Sequence, residues 1–94
     1  MFAEKIYTMK DFKYKYEHLS YEEFVDELTD GGNTPNERLA RAIIYEDDFN
    51  GIESLQALVD MKILLKQFKP LKDDLKNQVS QWKEAIQIAI DNKP

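Results

Sequence analysis

The sequence predicts an all-α fold, a compact bundle of four to five helices over about 9–18, 20–29, 35–45, 52–68 and 70–91. Three observations predict it. Two Ser/Thr-x-x-Glu capping boxes each open an apolar run of helical period. Residues 52–91 keep that period with a single proline break. Glycine and proline number only three each, so little else interrupts regular structure.

The N-terminal element is the ambiguous one. Met9, Phe12, Tyr16 and Leu19 recur at helical spacing, with Thr8 and Asp11 as a cap. Phe12-Lys13-Tyr14-Lys15-Tyr16 also alternates apolar and basic with period two, as a half-buried strand does. The alternative fold is therefore α+β, with a short hairpin of residues 3–8 and 12–17 packed on the helices.

The second helix opens at Ser20-Tyr21-Glu22-Glu23, and Phe24, Val25 and Leu28 give it an apolar stripe. Asp30-Gly31-Gly32-Asn33 stops it, a glycine supplying the exit. The third opens at Thr34-Pro35-Asn36-Glu37, with Thr at the N-cap, Pro at the first helical position and Glu at the third. Leu39, Ala42 and Ile43 follow on one face.

Residues 46–51 form the next break. Beyond it, Ile52, Leu55, Val59 and Ile63 fall on one side of a helix, and Ala57, Leu58, Met61, Leu64, Leu65 and Phe68 on the other. A helix apolar on two sides is expected to be central and buried. Lys69-Pro70 ends it, because proline disfavours helical geometry in the preceding residue. Leu71, Leu75, Val79, Trp82, Ile86, Ala89 and Ile90 then form the stripe of a long last helix, with Ile88 off it.

With 94 residues, one domain is expected, 1–94. At 43% hydrophobic and 33% charged residues the composition is globular rather than disordered. The absence of cysteine excludes disulfides, thiolate metal sites and cysteine nucleophiles. No apolar run approaches the ~20 residues of a membrane span, and the first residues lack a signal-peptide pattern. No membrane association and a cytoplasmic location in the producing or host cell are therefore expected. Frequent Lys, Ile, Asp and Asn with two Arg suggest AT-rich coding DNA, as in low-GC bacteria and their phages.

The net charge of −5 is unevenly spread. Residues 17–60 hold twelve acids (Glu17, Glu22, Glu23, Asp26, Glu27, Asp30, Glu37, Glu46, Asp47, Asp48, Glu53 and Asp60) against Arg38 and Arg41. Residues 1–16 and 61–94 are mildly basic. Either the acids pair with the lysines of the last helix, or they stay unpaired and make a field that attracts a basic partner. Exposed pairs contribute only ~0–1 kcal/mol each, so stability alone gives little reason to keep so many.

No motif carries catalysis. Glu46-x-Asp48-x-Asn50-Gly51 resembles the opening of an EF-hand calcium loop, but the twelfth position, which needs a bidentate glutamate, is Ala57. That segment reads as an acidic turn, and no metal is expected. His18 is the only imidazole, and no Ser or carboxylate stands at a spacing that singles out a partner. Helices 35–45 and 52–68 are too far apart, and the approach to the second too acidic, for a DNA-binding helix-turn-helix. Lys10, Lys13 and Lys15 around Tyr14 make only a weak basic patch, so nucleic acid is not an expected partner.

Nine of the eleven aromatics lie in residues 1–49, more than so small a domain can bury. Tyrosine beside acids suits a protein contact. The chain is accordingly expected to be a non-enzymatic protein-binding module: a small inhibitor, adaptor or assembly factor of the kind phages encode, without a cofactor. Its partner would be another protein with a basic surface, met through Tyr16, Tyr21, Glu22, Glu23, Asp26, Glu27, Tyr45, Glu46, Asp47 and Asp48. The alternatives are a nucleic-acid mimic that blocks a DNA- or RNA-binding protein, and a self-assembling structural protein that dimerises through helix 70–91.

Overall fold

The structure, a computed structural model, describes residues 9–94. Capping chemistry sets most of its boundaries. In chain order come α1 (Met9–Tyr16), α2 (Tyr21–Asp30), α3 (Pro35–Tyr45), a 3-10 turn (Phe49–Gly51), α4 (Leu55–Gln67) and α5 (Asp73–Asp91). The fold is an all-α bundle of five helices, with no strand among the described residues. Residues 12–16 are helical, which removes one strand of the alternative hairpin. Its other strand, 3–8, and the Thr8 cap lie outside the described residues.

Both capping boxes form. The Ser20 hydroxyl accepts from the Glu23 amide while Glu23 Oε1 accepts from the Ser20 amide, at 3.2 and 3.0 Å. Thr34 and Glu37 repeat the exchange at 3.2 Å in both directions. Each pair satisfies two donors that a helix start leaves orphaned.

The joint between α2 and α3 needs its second glycine. Gly32 has φ +87°, where L side chains rarely go, and a Cβ there would stand 3.1 Å from the Glu37 Cβ. Arg41 of α3 completes the joint from the other side. Its Nε donates to the Leu28 carbonyl at 2.9 Å and one terminal nitrogen to the carbonyls of Gly31 and Gly32. A guanidinium thus covers the negative end of α2, which has no basic residue in its own last turn.

Four aromatic rings build the centre of the core. Phe12, Tyr16, Phe24 and Phe68 come from α1, α2 and the end of α4, and Phe24 stacks on Phe68 at 5.3 Å between centroids. Phe12 meets Phe68 edge-on at 5.3 Å and Tyr16 meets Phe24 edge-on at 5.7 Å, offset geometries that ring quadrupoles favour. Around them pack Leu28, Ile43, Leu58, Leu64, Leu65, Leu75, Trp82 and Ile86. The α4–α5 contact is the most extensive in the bundle, and Lys62 of α4 donates to the Gln87 side chain of α5.

Two expectations for the second half need correction. Helix α4 starts at Leu55, capped by the Ser54 hydroxyl on the Ala57 amide (3.2 Å), so Ile52 stands before it. Only one of its two apolar sides is buried, the side of Leu58, Met61, Leu64 and Leu65. Leu55 and Ile63 remain 46% and 47% exposed, because no other described helix covers that flank. Helix α5 starts at Asp73 rather than 70, since Phe68 through Lys72 turn the chain. Leu71, placed by periodicity on the stripe, is instead exposed, its amide donating to the Glu17 carbonyl at 2.8 Å. Trp82 is buried and Ile88 exposed, as their positions on and off the stripe predict. No helix of the described residues is long and apolar enough to cross a membrane.

Candidate functional site

Helix α2 puts its apolar residues on one side, with Phe24 and Leu28 in the core and Val25 half-buried. At about 100° per residue, positions 22, 26, 30, 23 and 27 then share one arc of about 140°, with Thr29 at its edge. All five are acids, and all five are exposed. Among the described residues the only cation bonded to this face is Lys72, at 3.5 Å from Glu23, with both side chains more than half exposed. Such a pair is weak. The Ser20 backbone and hydroxyl and then Lys72 lower the Glu23 carboxyl below its ordinary value. Asp30, one turn beyond Asp26, completes the row and was not among the residues singled out from the sequence.

Most of the acidic block is likewise unpaired. Of the twelve acids between 17 and 60, Glu23 and Glu37 form ion pairs, and the other ten form none among the described residues. The lysines of α5 do not neutralise the acidic block.

The remaining expected contact residues separate. Tyr16 is a correction: it is 1% exposed, sealed among Phe12, Phe24 and Glu37, and out of reach of any partner. Its helical spacing with Met9 and Phe12 puts it on the inner face of α1, whereas Tyr14, two positions earlier, is turned about 200° away and exposed. Tyr21 is half-buried, tilted over Trp82 at 5.9 Å, and Tyr45 is 62% exposed. Glu46, Asp47 and Asp48 lie in the turn after α3, and no hydrogen bond or ion pair joins that turn to α2 among the described residues. Glu46 accepts from the Asp48 amide (3.2 Å) and Asp48 from the Asn50 amide (3.0 Å), so two of the three are spent on their own backbone. No group of three metal-ligating side chains converges among the described residues.

Glu37 is the acid whose setting the sequence does not reveal. Beyond its capping role it is buried, 4% exposed, with Oε2 accepting from the Tyr16 hydroxyl and from Lys15 at 3.2 Å. Oε1 accepts from the Thr34 hydroxyl at 2.7 Å. Desolvation alone would push this carboxyl up, but the donated hydrogen bonds from Tyr16, Thr34 and Lys15 together outweigh it and hold it down at about 2. Burial, then the bond to Glu37, pushes the Tyr16 phenol well above its ordinary value of 10.0. The arrangement is a closed structural knot tying α1 to α3. With every donor directed at the carboxylate and no room for a ligand, it is no candidate for chemistry.

Comparison with protein families, with curated proteins and with solved structures finds no match.

Proposed function

We propose that this chain is a non-enzymatic protein-binding module that meets a basic partner surface through the outer face of α2. One observation carries the reading: five exposed carboxylates share that face with a single weakly bound lysine. Glu22 and Glu23 suit the positive end of the helix, but the acids beyond them work against it. Glu22/Asp26 and Asp26/Asp30 are like-charge pairs at i,i+4, each unfavourable by roughly 0.2–0.5 kcal/mol. Glu27 and Asp30 also sit at the negative end of the helix dipole. A face kept at a cost to its own helix is explained by what it attracts. The carboxylates raise the rate of encounter, so association is faster at low salt.

The test compares the wild-type chain with Glu22→Lys/Asp26→Lys as bait in host lysate. Proteins held at about 50 mM salt, released at high salt and lost to the variant support the reading. An unchanged set of retained proteins, with unchanged circular dichroism, removes it. A nucleic-acid mimic is the second reading, favoured by Glu22, Asp26 and Asp30 forming one row about 12 Å long. It requires the captured protein's own nucleic acid to displace the chain.

A further inference from the structure

A groove of about 870 Å³ runs between α1 and α4, lined by Met9, Lys10, Lys13, Tyr14 and Glu17 on one wall and by Ile63, Lys66, Gln67 and Lys69 on the other. That is within the ~300–1,000 Å³ typical of ligand sites. It is unlike the acidic face in every respect. Among the described residues four lysines border it, one carboxylate enters it, and none of the acids of α2 lines it. The four lysines form no ion pair among the described residues. Tyr14 is 83% exposed, the most exposed large hydrophobic side chain described, with no ring or hydrogen-bond partner there.

The sequence shows only half of this patch. Of the three lysines of α1, Lys15 turns away to Glu37, while Lys10, Lys13 and Tyr14 occupy the opposite arc of the helix. The fold then brings Lys66 and Lys69, more than fifty positions away in the chain, to face them. A weak local charge becomes a two-walled basic channel with an open aromatic ring.

We propose that this groove binds single-stranded nucleic acid, with phosphates along Lys10, Lys13, Lys66 and Lys69 and a base stacked on Tyr14. Two walls of ammonium groups follow a flexible polyanion, and an exposed ring offers a stacking platform that is indifferent to sequence. A duplex cannot use Tyr14, because its bases are already stacked and paired. An acidic peptide would use the lysines but would give the bare ring no stacking partner. The acids of α2 oppose binding most at low salt, and their field is screened beyond about 10 Å at 0.1 M. The inference is independent of the α2 reading, since the two faces share no residue.

The test is anisotropy of fluorescein-labelled dT15 and U15 titrated with the whole chain at several salt concentrations. Saturable binding at 20 mM salt is expected, weakening about 50-fold between 50 and 200 mM if four phosphates are neutralised. Tyr14→Ala is expected to weaken it about tenfold, and Lys10→Glu/Lys66→Glu to abolish it. All three positions are exposed, so the circular dichroism should not change. Absence of binding at 20 mM salt overturns the proposal. So does binding that survives these substitutions. Displacement by polyglutamate as readily as by unlabelled dT15 assigns the groove to an acidic protein instead, and equally overturns it.

Discussion

Glu37 and the acids of α2 belong to the same stretch of negative sequence and end in opposite circumstances. Glu37 is buried and accepts from Tyr16, Thr34 and Lys15, which reach it from α1 and from its own cap. The α2 acids are exposed, and among the described residues a lysine reaches only Glu23. The first carboxylate is held by structure, and of the others only Glu23 is, by its cap and Lys72. Charge density along a sequence therefore says little about what an acid does. The donors within reach after folding decide whether it holds the bundle together or faces outward at a cost.

The largest expected effect is at the buried end of this comparison. Glu37→Ala leaves the Tyr16 hydroxyl, 1% exposed as a residue, without its acceptor and removes half of the α3 capping box. Loss of a buried charged partner of this kind costs roughly 2–4 kcal/mol, read as a lower urea midpoint. A loss below about 0.5 kcal/mol, the ordinary range for a surface change, would place Glu37 with the α2 acids and end the contrast.

The pH dependence sharpens the same point. The Glu37 carboxyl is depressed to about 2 from an ordinary 4.5. Its contribution is thus complete above about 4.5 and drains away as the pH falls toward 2. Tyr16 is shifted upward, so its contribution is complete below 10.0 and is lost as the pH rises beyond it. Urea unfolding of the wild type between pH 2 and 7 should show an acid decline that Glu37→Gln flattens. An equal decline in the variant would assign acid sensitivity to other carboxylates.

A smaller effect is expected at Arg41, which stands between the two regions. Arg41→Ala removes every side-chain donor to the carbonyls of Leu28, Gly31 and Gly32 and uncovers the negative end of α2. About 1–2 kcal/mol is expected. Arg41→Lys should restore only part of it, because one ammonium cannot reproduce a planar fork. Full restoration by lysine would mean that charge alone matters there.

How much of this was legible in the sequence follows from the range of the interactions. Thr34-Pro35-Asn36-Glu37 and Ser20-Tyr21-Glu22-Glu23 are local signals, and both helices start where those residues place them. The break at Lys69-Pro70 and the burial of Trp82 were equally local. What escaped depends on contacts across the chain. Tyr16 meets Glu37 across 21 positions, and Lys66 and Lys10 border one groove. Neither has a spacing to betray it. The acids of α2 could be read as one face because a single helix carries them. Their grouping with residues 46–48 rested on proximity in sequence, and the structure gives that turn its own internal hydrogen bonds.

The smallest effect expected has the opposite sign, and it tests the exposed end of the comparison. Asp26 sits between Glu22 and Asp30 on the open face of α2, exposed and in no ion pair among the described residues. Asp26→Lys turns two repulsive i,i+4 pairs into attractive ones and replaces a poor helix former with a good one. Stability should rise by about 0.5–1 kcal/mol, seen as a higher urea midpoint with an unchanged slope. The same substitution should weaken capture of a basic partner, and that pairing of outcomes separates a binding face from an indifferent one. If Asp26→Lys lowers stability instead, the carboxylates of α2 are held by the fold much as Glu37 is, and the distinction between the two regions fails.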